Sequence, residues 1–256
     1  MLTINKELLI KFSEKQGYNK LVIDLLRNLK DSEVESEDEL EILRRKLCKK
    51  KPELFTESLN KEKKNRILAK HRIEIEKAKD YSELLPSIAE FKKSRNTFLQ
   101  ACANISILKI QSRKKHLESI RSGIESKDHY VLTDRIGFRI IVEIKDYLKL
   151  FEHIRKEYSH QVAFSINTFL YNSNEMVERI GRFGRFYRSH DLYLYNDNRE
   201  QNTEIQLITP ALHVWITLNH DTNYKPILDV SGKIKKEIDN LGLVANYNDY
   251  MAFLEN

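Results

Sequence analysis

Apolar side chains recur at three- and four-residue spacings from Leu2 to about Gly123, and that periodicity predicts helices. The stretch KELLIKFSEKQGYNKLVIDLLRNLK shows it first. DSEVESEDELEILRRKLCKKKPELF opens with Asp31 and Ser32 as candidate N-caps and an acidic first turn. It closes in a basic run before Pro52, the charge order a helix dipole favours. NKEKKNRILAKHRIEIEKAKDYSELL reads as a further charged helix, and Pro86 marks a turn. Residues 87–123 then read as helix up to Gly123.

Beyond Gly123 the pattern shortens. YVLTDRIGFRIIVEI is β-branched and apolar, DYLKLFEHIRKEY is an amphipathic helix, and QVAFSINTFLY and YRSHDLYLY read as strands. TEIQLIT alternates, with Glu204, Gln206 and Ile208 on one face and Ile205, Leu207 and Thr209 on the other. Thr209 and Pro210 have the residue types of an N-cap and first helical position, so PALHVWITLNHDTNY is a helix. The tail, GKIKKEIDNLGLVANYNDYMAFLEN, is helical too. The order predicts an α+β fold, a mixed sheet of about five strands flanked by helices, after a helical N-terminal region. The expected divisions are residues 1–104 (helical), 105–230 (core) and 231–256 (C-terminal helix).

Composition narrows the class. A chain of 256 residues buries a core without disulfide or metal, and 41% hydrophobic content with only 7 Gly and 4 Pro suits a helix-rich protein. Cys48 and Cys102 fit no disulfide or metal framework and suggest a reducing compartment. The N-terminus is too polar for a signal peptide and no apolar run is long enough to span a bilayer, so no membrane role and a cytoplasmic location are expected. The net charge of +6 favours anionic partners, although a solvated Lys-rich surface carries the same charge.

Three groups of residues could carry chemistry. Asp134 and Glu204 lie on separate strands; each alone reads as a surface acid. Together on adjacent strands they could hold Mg²⁺, and one could accept a proton from an attacking hydroxyl. Arg113, Lys115, Ser119 and Arg121 have the composition of a phosphate cradle or of a solvated basic helix; in a helix Lys115 and Ser119 share a face. Arg179, Arg182, Arg185 and Arg188 recur every three residues among Phe183, Phe186 and Tyr187. Such a loop could contact RNA or phosphates by stacking and charge, or simply be a basic loop anchored by aromatics. His213 and His220 are too far apart for a zinc pair and lack a third ligand.

In this order the motifs resemble the RelA/SpoT synthetase domain, above all the small single-domain alarmone synthetases. The resemblance rests on Arg113 to Lys115 with Ser119, DRIGFR from Asp134 to Arg139, YRS from Tyr187, EIQLIT from Glu204 and LHVWITLNHDTNYK from Leu212 to Lys225. It implies a nucleotidyltransferase-like fold that moves pyrophosphate from ATP to the ribose 3′-hydroxyl of GDP or GTP. Asp134 and Glu204 are then the catalytic pair and Mg²⁺ ligands. Arg113, Lys115, Ser119 and Arg121 bind ATP. Tyr187, Arg188, Gln206, His213 and Lys225 serve the acceptor side. Family members form homo-oligomers, and the N-terminal helices could pack on the core, pair with another copy or bind a neutralising antitoxin.

The sequence departs from the family at four places. Gly123 stands where a Lys is usual, Phe186 where a Gly precedes the Tyr, Asp191 where a His is usual, and Ile208 where an Arg is usual. Alternation turns Tyr187, Ser189 and Asp191 to one face and His190 to the other. Asp191 and Ile208 weaken the case for an acceptor 5′-diphosphate. This leaves three readings: GDP or GTP as acceptor, the 3′-CCA end of tRNA as in toxic small synthetases, or an inactive binding module. The retained Asp134 and Glu204 count against the third.

Overall fold

Asn5 and Asn19 start the first two helices, their side chains accepting from the backbone N–H of Leu8 and Leu21. Helix α1 (Lys6–Lys15) ends at Gly17, whose φ of +70° lets the chain reverse into α2 (Lys20–Asn28). Helix α3 (Glu37–Lys50) begins after Ser36, not at Asp31 or Ser32. Those two side chains have tertiary partners: Lys6 reaches Asp31 at 3.1 Å, and the Ser32 hydroxyl donates to Asn248. Helix α4 spans Lys61–Lys77, and α5 (Ile88–Ala101) opens with a capping box of Ser87 and Glu90. The computed structural model describes residues 3–55, 61–102, 107–128, 131–158, 162–167, 186–195, 203–224 and 227–256.

Helix was expected through to Gly123; instead Lys109–Lys114 forms strand β1, and helix α6 (Leu117–Glu125) begins only after His116. Lys115 and Ser119 therefore do not share a helix. Strand β1 lies at the sheet edge and is half exposed, so its polar composition matches that of a surface helix. It supplies the fifth strand that the expected mixed sheet required. The remaining elements are β2 (Ile136–Ile141), α7 (Ile144–Glu157), β3 (Val162–Asn167), β4 (His190–Leu194), β5 (Thr203–Ile208), α8 (Pro210–Asn219) and α9 (Gly232–Glu255). Thr209 caps α8, with Pro210 at its first turn. A single π turn, His220–Tyr224, follows.

The strands are ordered β1-β2-β5-β4-β3. Only β2 and β5 run parallel; the other neighbours are antiparallel. One side of the sheet is tied to α7, whose Tyr147 hydroxyl donates to the Leu207 carbonyl at 2.9 Å. Ile140, Leu192 and Leu207 of the sheet share one apolar core with Leu150 and Phe151 of α7 and Leu241 and Phe253 of α9. Leu9, Leu26 and Leu47 of the first three helices belong to the same core. A smaller cluster of Leu84, Ile120, Val131 and Leu132 seats α6. No helix among the described residues is long and apolar enough to cross a membrane.

Helix α6 shows why a Lys cannot stand at position 123. A Cβ on Gly123 would meet Val131 Cγ2 at 2.3 Å, and Val131 is only 1% exposed. Gly123→Ala should lower the unfolding free energy by about 1–3 kcal/mol, the usual cost of overpacking. Adding Val131→Ala should recover part of that loss in urea denaturation; no recovery would show that the contact is not the constraint.

Candidate active site

Strand register assembles the site. Arg113, Gly137, Glu204 and Tyr193 stand side by side across β1, β2, β5 and β4. Two residues along, Gln111, Arg139, Gln206 and Asp191 form the next row. A strand repeats every two residues, so both rows face the same way. Asp134 lies two residues before β2 begins, at the Glu204 end of the sheet.

Charges converge there. Arg113 Nη2 donates to Asp134 Oδ2 at 2.9 Å and lies 3.8 Å from Glu204 Oε2. Lys115 Nζ pairs with Asp134 Oδ1 and donates to the Val131 carbonyl at 2.6 Å. The Tyr193 hydroxyl donates to Glu204 Oε1 at 2.8 Å. Burial makes these partners necessary: the Glu204 side chain is 9% exposed, Asp134 17% and Lys115 12%. An unpaired charge so placed would carry a large desolvation cost. Gly137 makes room, since a Cβ there would meet Arg113 Nε at 3.1 Å and Cγ at 3.2 Å. The guanidinium can therefore lie across β2 toward both acids.

These groups open on a cleft of about 790 Å³, within the range of small-molecule sites. Arg113, Lys115, Ser119, Asp134, Tyr187, Glu204 and Gln206 all line it. Residues 112–227 match the family model described as "Region found in RelA / SpoT proteins". That match takes in β2 to α8 and all of the cleft's lining residues but Gln111. Similar solved structures include small alarmone synthetase 1 from Bacillus subtilis, at 20% identity over 63% of this chain and 90% of that one, with a TM-score of 0.47. Small alarmone synthetase 2 from Bacillus subtilis aligns at 22% identity over 63% and 90%, with a TM-score of 0.43. A GTP pyrophosphokinase family protein from Streptococcus pneumoniae aligns at 22% over 62% and 81%, also with a TM-score of 0.43. No curated protein matches the chain.

Other expected site residues fall elsewhere. Arg121 does not line the cleft; it pairs at 3.0 Å with Glu118, which does. Arg188 is corrected from the acceptor side to the interior. It is 2% exposed, and its guanidinium donates to the Tyr187 carbonyl at 2.6 Å and the Tyr250 hydroxyl at 3.2 Å. His213 lines a neighbouring cavity rather than the cleft. Arg179, Arg182, Arg185 and Lys225 lie outside the described residues. Tyr187 is largely buried at the cleft wall, and burial, reinforced by Asp191, pushes its phenol pKa far up.

The departures have physical explanations. Phe186 packs edge-on against Trp215, with ring centroids 6.2 Å apart, and its carbonyl accepts from Asn246 at 2.8 Å. It anchors the chain entering β4. Asp191 is buried beside Ser189, whose hydroxyl donates to it at 2.7 Å. His190 points the opposite way, between the Tyr147 hydroxyl and the Leu54 carbonyl, both at 3.0 Å. Burial holds its pKa down to about 3. Ile208 is in the core at 1% exposure.

Sequence reasoning passed over Gln111 and Arg139 as site residues, yet both line the cleft, with Arg139 Nε donating to Gln206 Oε1 at 3.0 Å. For Arg139 the signal was present: it is two residues beyond Gly137, on the face that alternation gives to the site. Among the described residues no group of three or more His, Cys, Asp and Glu could hold a metal. The Asp134–Glu204 pair nevertheless suits Mg²⁺, which characteristically takes one or two carboxylates and completes its shell with water and phosphate oxygens.

His213 is 2% exposed, and burial, then the charges of Arg139 and Lys109, lower its pKa from 6.5 to about 4. Below pH 6.5 the unfolded chain takes up a proton that the folded chain refuses until about pH 4. Stability from this group is therefore present above pH 6.5 and is lost as the pH falls toward 4, by at most about 1.4 kcal/mol per pH unit. His213→Leu should flatten the stability profile between pH 4.5 and 6.5 in urea melts. An unchanged slope would assign the acid sensitivity to other groups.

Proposed function

We propose that the chain is an ATP-dependent pyrophosphokinase acting on the ribose 3′-hydroxyl of a guanine nucleotide, GDP or GTP. The observation that carries this reading is the convergence of Asp134, Glu204, Arg113 and Lys115 in one cleft. Two acids set against two cations match what transfer between polyphosphates demands: charge compensation and a proton acceptor.

The 3′-oxygen would bond to the β-phosphorus of ATP. The bond between that phosphorus and the oxygen bridging to the α-phosphate would break, and AMP would leave with that oxygen. The proton of the hydroxyl would go to Glu204. Tyr193 fixes Glu204 Oε1, so the carboxylate is held in one orientation for that task. Arg113 and Lys115 would exchange their present hold on Asp134 for the β- and γ-phosphates, with Ser119 nearby on α6. Mg²⁺, held by Asp134 and Glu204, would neutralise phosphate charge. Tyr187 would offer its ring to the acceptor base.

Arg139 favours a nucleotide acceptor over a tRNA end. Ile208 leaves the β5 row without its usual cation, but Arg139 in β2 reaches the adjacent Gln206 and lines the cleft. It supplies a guanidinium for acceptor phosphates on the same face.

The test incubates the protein with γ-labelled ATP, Mg²⁺ and, separately, GDP, GTP and bulk tRNA. Label is expected on the guanine nucleotides; label confined to tRNA and removed by trimming its 3′-CCA would replace this reading with the tRNA one. Asp134→Asn and Glu204→Gln should each reduce transfer by about 10³-fold or more while shifting the melting temperature by only a few degrees. Turnover retained in either variant would refute its assigned role.

A further inference from the structure

Helix α4 lies outside residues 112–227, yet it reaches the end of the sheet that carries Asp134 and Glu204. Lys70 stands over the Tyr195 ring, its Nζ 5.3 Å from the centroid, and the His71 ring is 6.3 Å from the same ring. Tyr195 follows β4, whose last residue, Leu194, is opposite Thr203; Thr203 is opposite Ile136. One turn further along α4, Glu74 pairs with Arg135 Nη2. Ile75, and Ala78 just beyond the helix, pack on the cluster of Leu84, Ile120, Val131 and Leu132. Positions 70, 71, 74, 75 and 78 share one helix face. That face therefore spans from the end of β4 to the start of β2.

Arg135 is placed to transmit the contact. It follows Asp134 directly and precedes β2. Its carbonyl accepts the Lys115 N–H at 2.9 Å, and the Val131 carbonyl accepts Lys115 Nζ at 2.6 Å. Asp134 itself pairs with Arg113 and Lys115. Residues 131–135 are thus the seat of both cations. The Arg135 side chain is largely buried, with its Nε lacking a hydrogen-bond partner and its Nη2 taken by Glu74. Glu90 of α5 is also near, but its carboxylate accepts the Ser87 N–H at 2.5 Å. Without the Glu74 charge a poorly solvated guanidinium would lose the carboxylate it touches, and it would swing toward water. Such a movement pulls on the peptide that Arg135 shares with Asp134. A displacement of about 1 Å in a positioned group can cost about 100-fold in rate.

We propose that Glu74 and Arg135 are a positioning pair, through which α4 sets Asp134 and becomes part of the ATP half of the site. The proposal rests on the reading of Asp134, Arg113 and Lys115 as the ATP side of the cleft.

Two measurements on the full chain test it: calorimetric binding of ATP with Mg²⁺ in the absence of acceptor, and steady-state transfer to GDP. Glu74→Gln removes the charge and keeps the shape. It should weaken ATP binding and raise the KM for ATP about tenfold, leaving the KM for GDP within about twofold. Arg135→Lys, which keeps a cation for Glu74, should retain more ATP affinity than Arg135→Gln, and it is the check should Arg135→Gln fail to fold. In the double variant Glu74→Gln/Arg135→Gln the two losses should not add, because each removes the same contact. Arg27→Gln, which breaks an exposed ion pair with Glu14, should change neither KM. Equal ATP affinity in all variants, or KM values for ATP and GDP that rise together, would overturn the proposal. A chain that binds ATP but labels no guanine nucleotide would refute the proposed acceptor alone, and the binding measurement would still decide the pair. A chain that binds no ATP would overturn both.

Discussion

The parallel pairing of β2 with β5 is the constraint on which the site depends. It sets Gly137 opposite Glu204, and the antiparallel neighbours then bring in Arg113 on one side and Tyr193 on the other. A slip of one residue in β5 would turn Glu204 and Gln206 to the α7 side and bring Leu207 to the cleft. The apolar pattern forbids it. Ile205 and Leu207 are fully buried, and Leu207 also receives the Tyr147 hydroxyl at its carbonyl. The register that buries these residues is the one that presents the acids. Stability and site geometry are therefore one requirement, met by the same six-residue strand.

Charge compensation adds a second layer. Asp134 and Glu204 are largely buried, and they are held by Arg113, Lys115 and Tyr193. In the absence of a ligand these cations neutralise the acids. The resting ion pairs thus offset the charge of the two acids. Gly137 eases this arrangement, since a Cβ there would stand 3.1 Å from Arg113 Nε and push the side chain aside.

What could be read from the sequence was what local periodicity encodes. The alternation in TEIQLIT, the Thr209–Pro210 helix start and the opposed faces of Asp191 and His190 follow from one-dimensional rules, and all three appear in the structure. The placements of Arg188 and His213 do not follow from such rules. Arg188 is captured by Tyr250, far along the chain, and nothing near Arg188 announces that contact. Strand β1 was missed because an exposed, charged edge strand and a solvated helix share a composition. Gly123 looked like a lost lysine, whereas its reason lies in Val131, on another segment.

His190 and His213 show how burial alone fails to separate structure from function. Both are buried, and burial holds both neutral through the physiological range. His190 has the Tyr147 hydroxyl at one nitrogen and the Leu54 carbonyl at the other, so its desolvation is repaid within the fold. His213 has neither, and an apolar residue of similar size would suit the same position better in the isolated chain. A fold stable by only about 5–15 kcal/mol bears a visible share of that cost. Position 190 is explained by contacts within the fold, whereas position 213 lacks them and its burial is uncompensated.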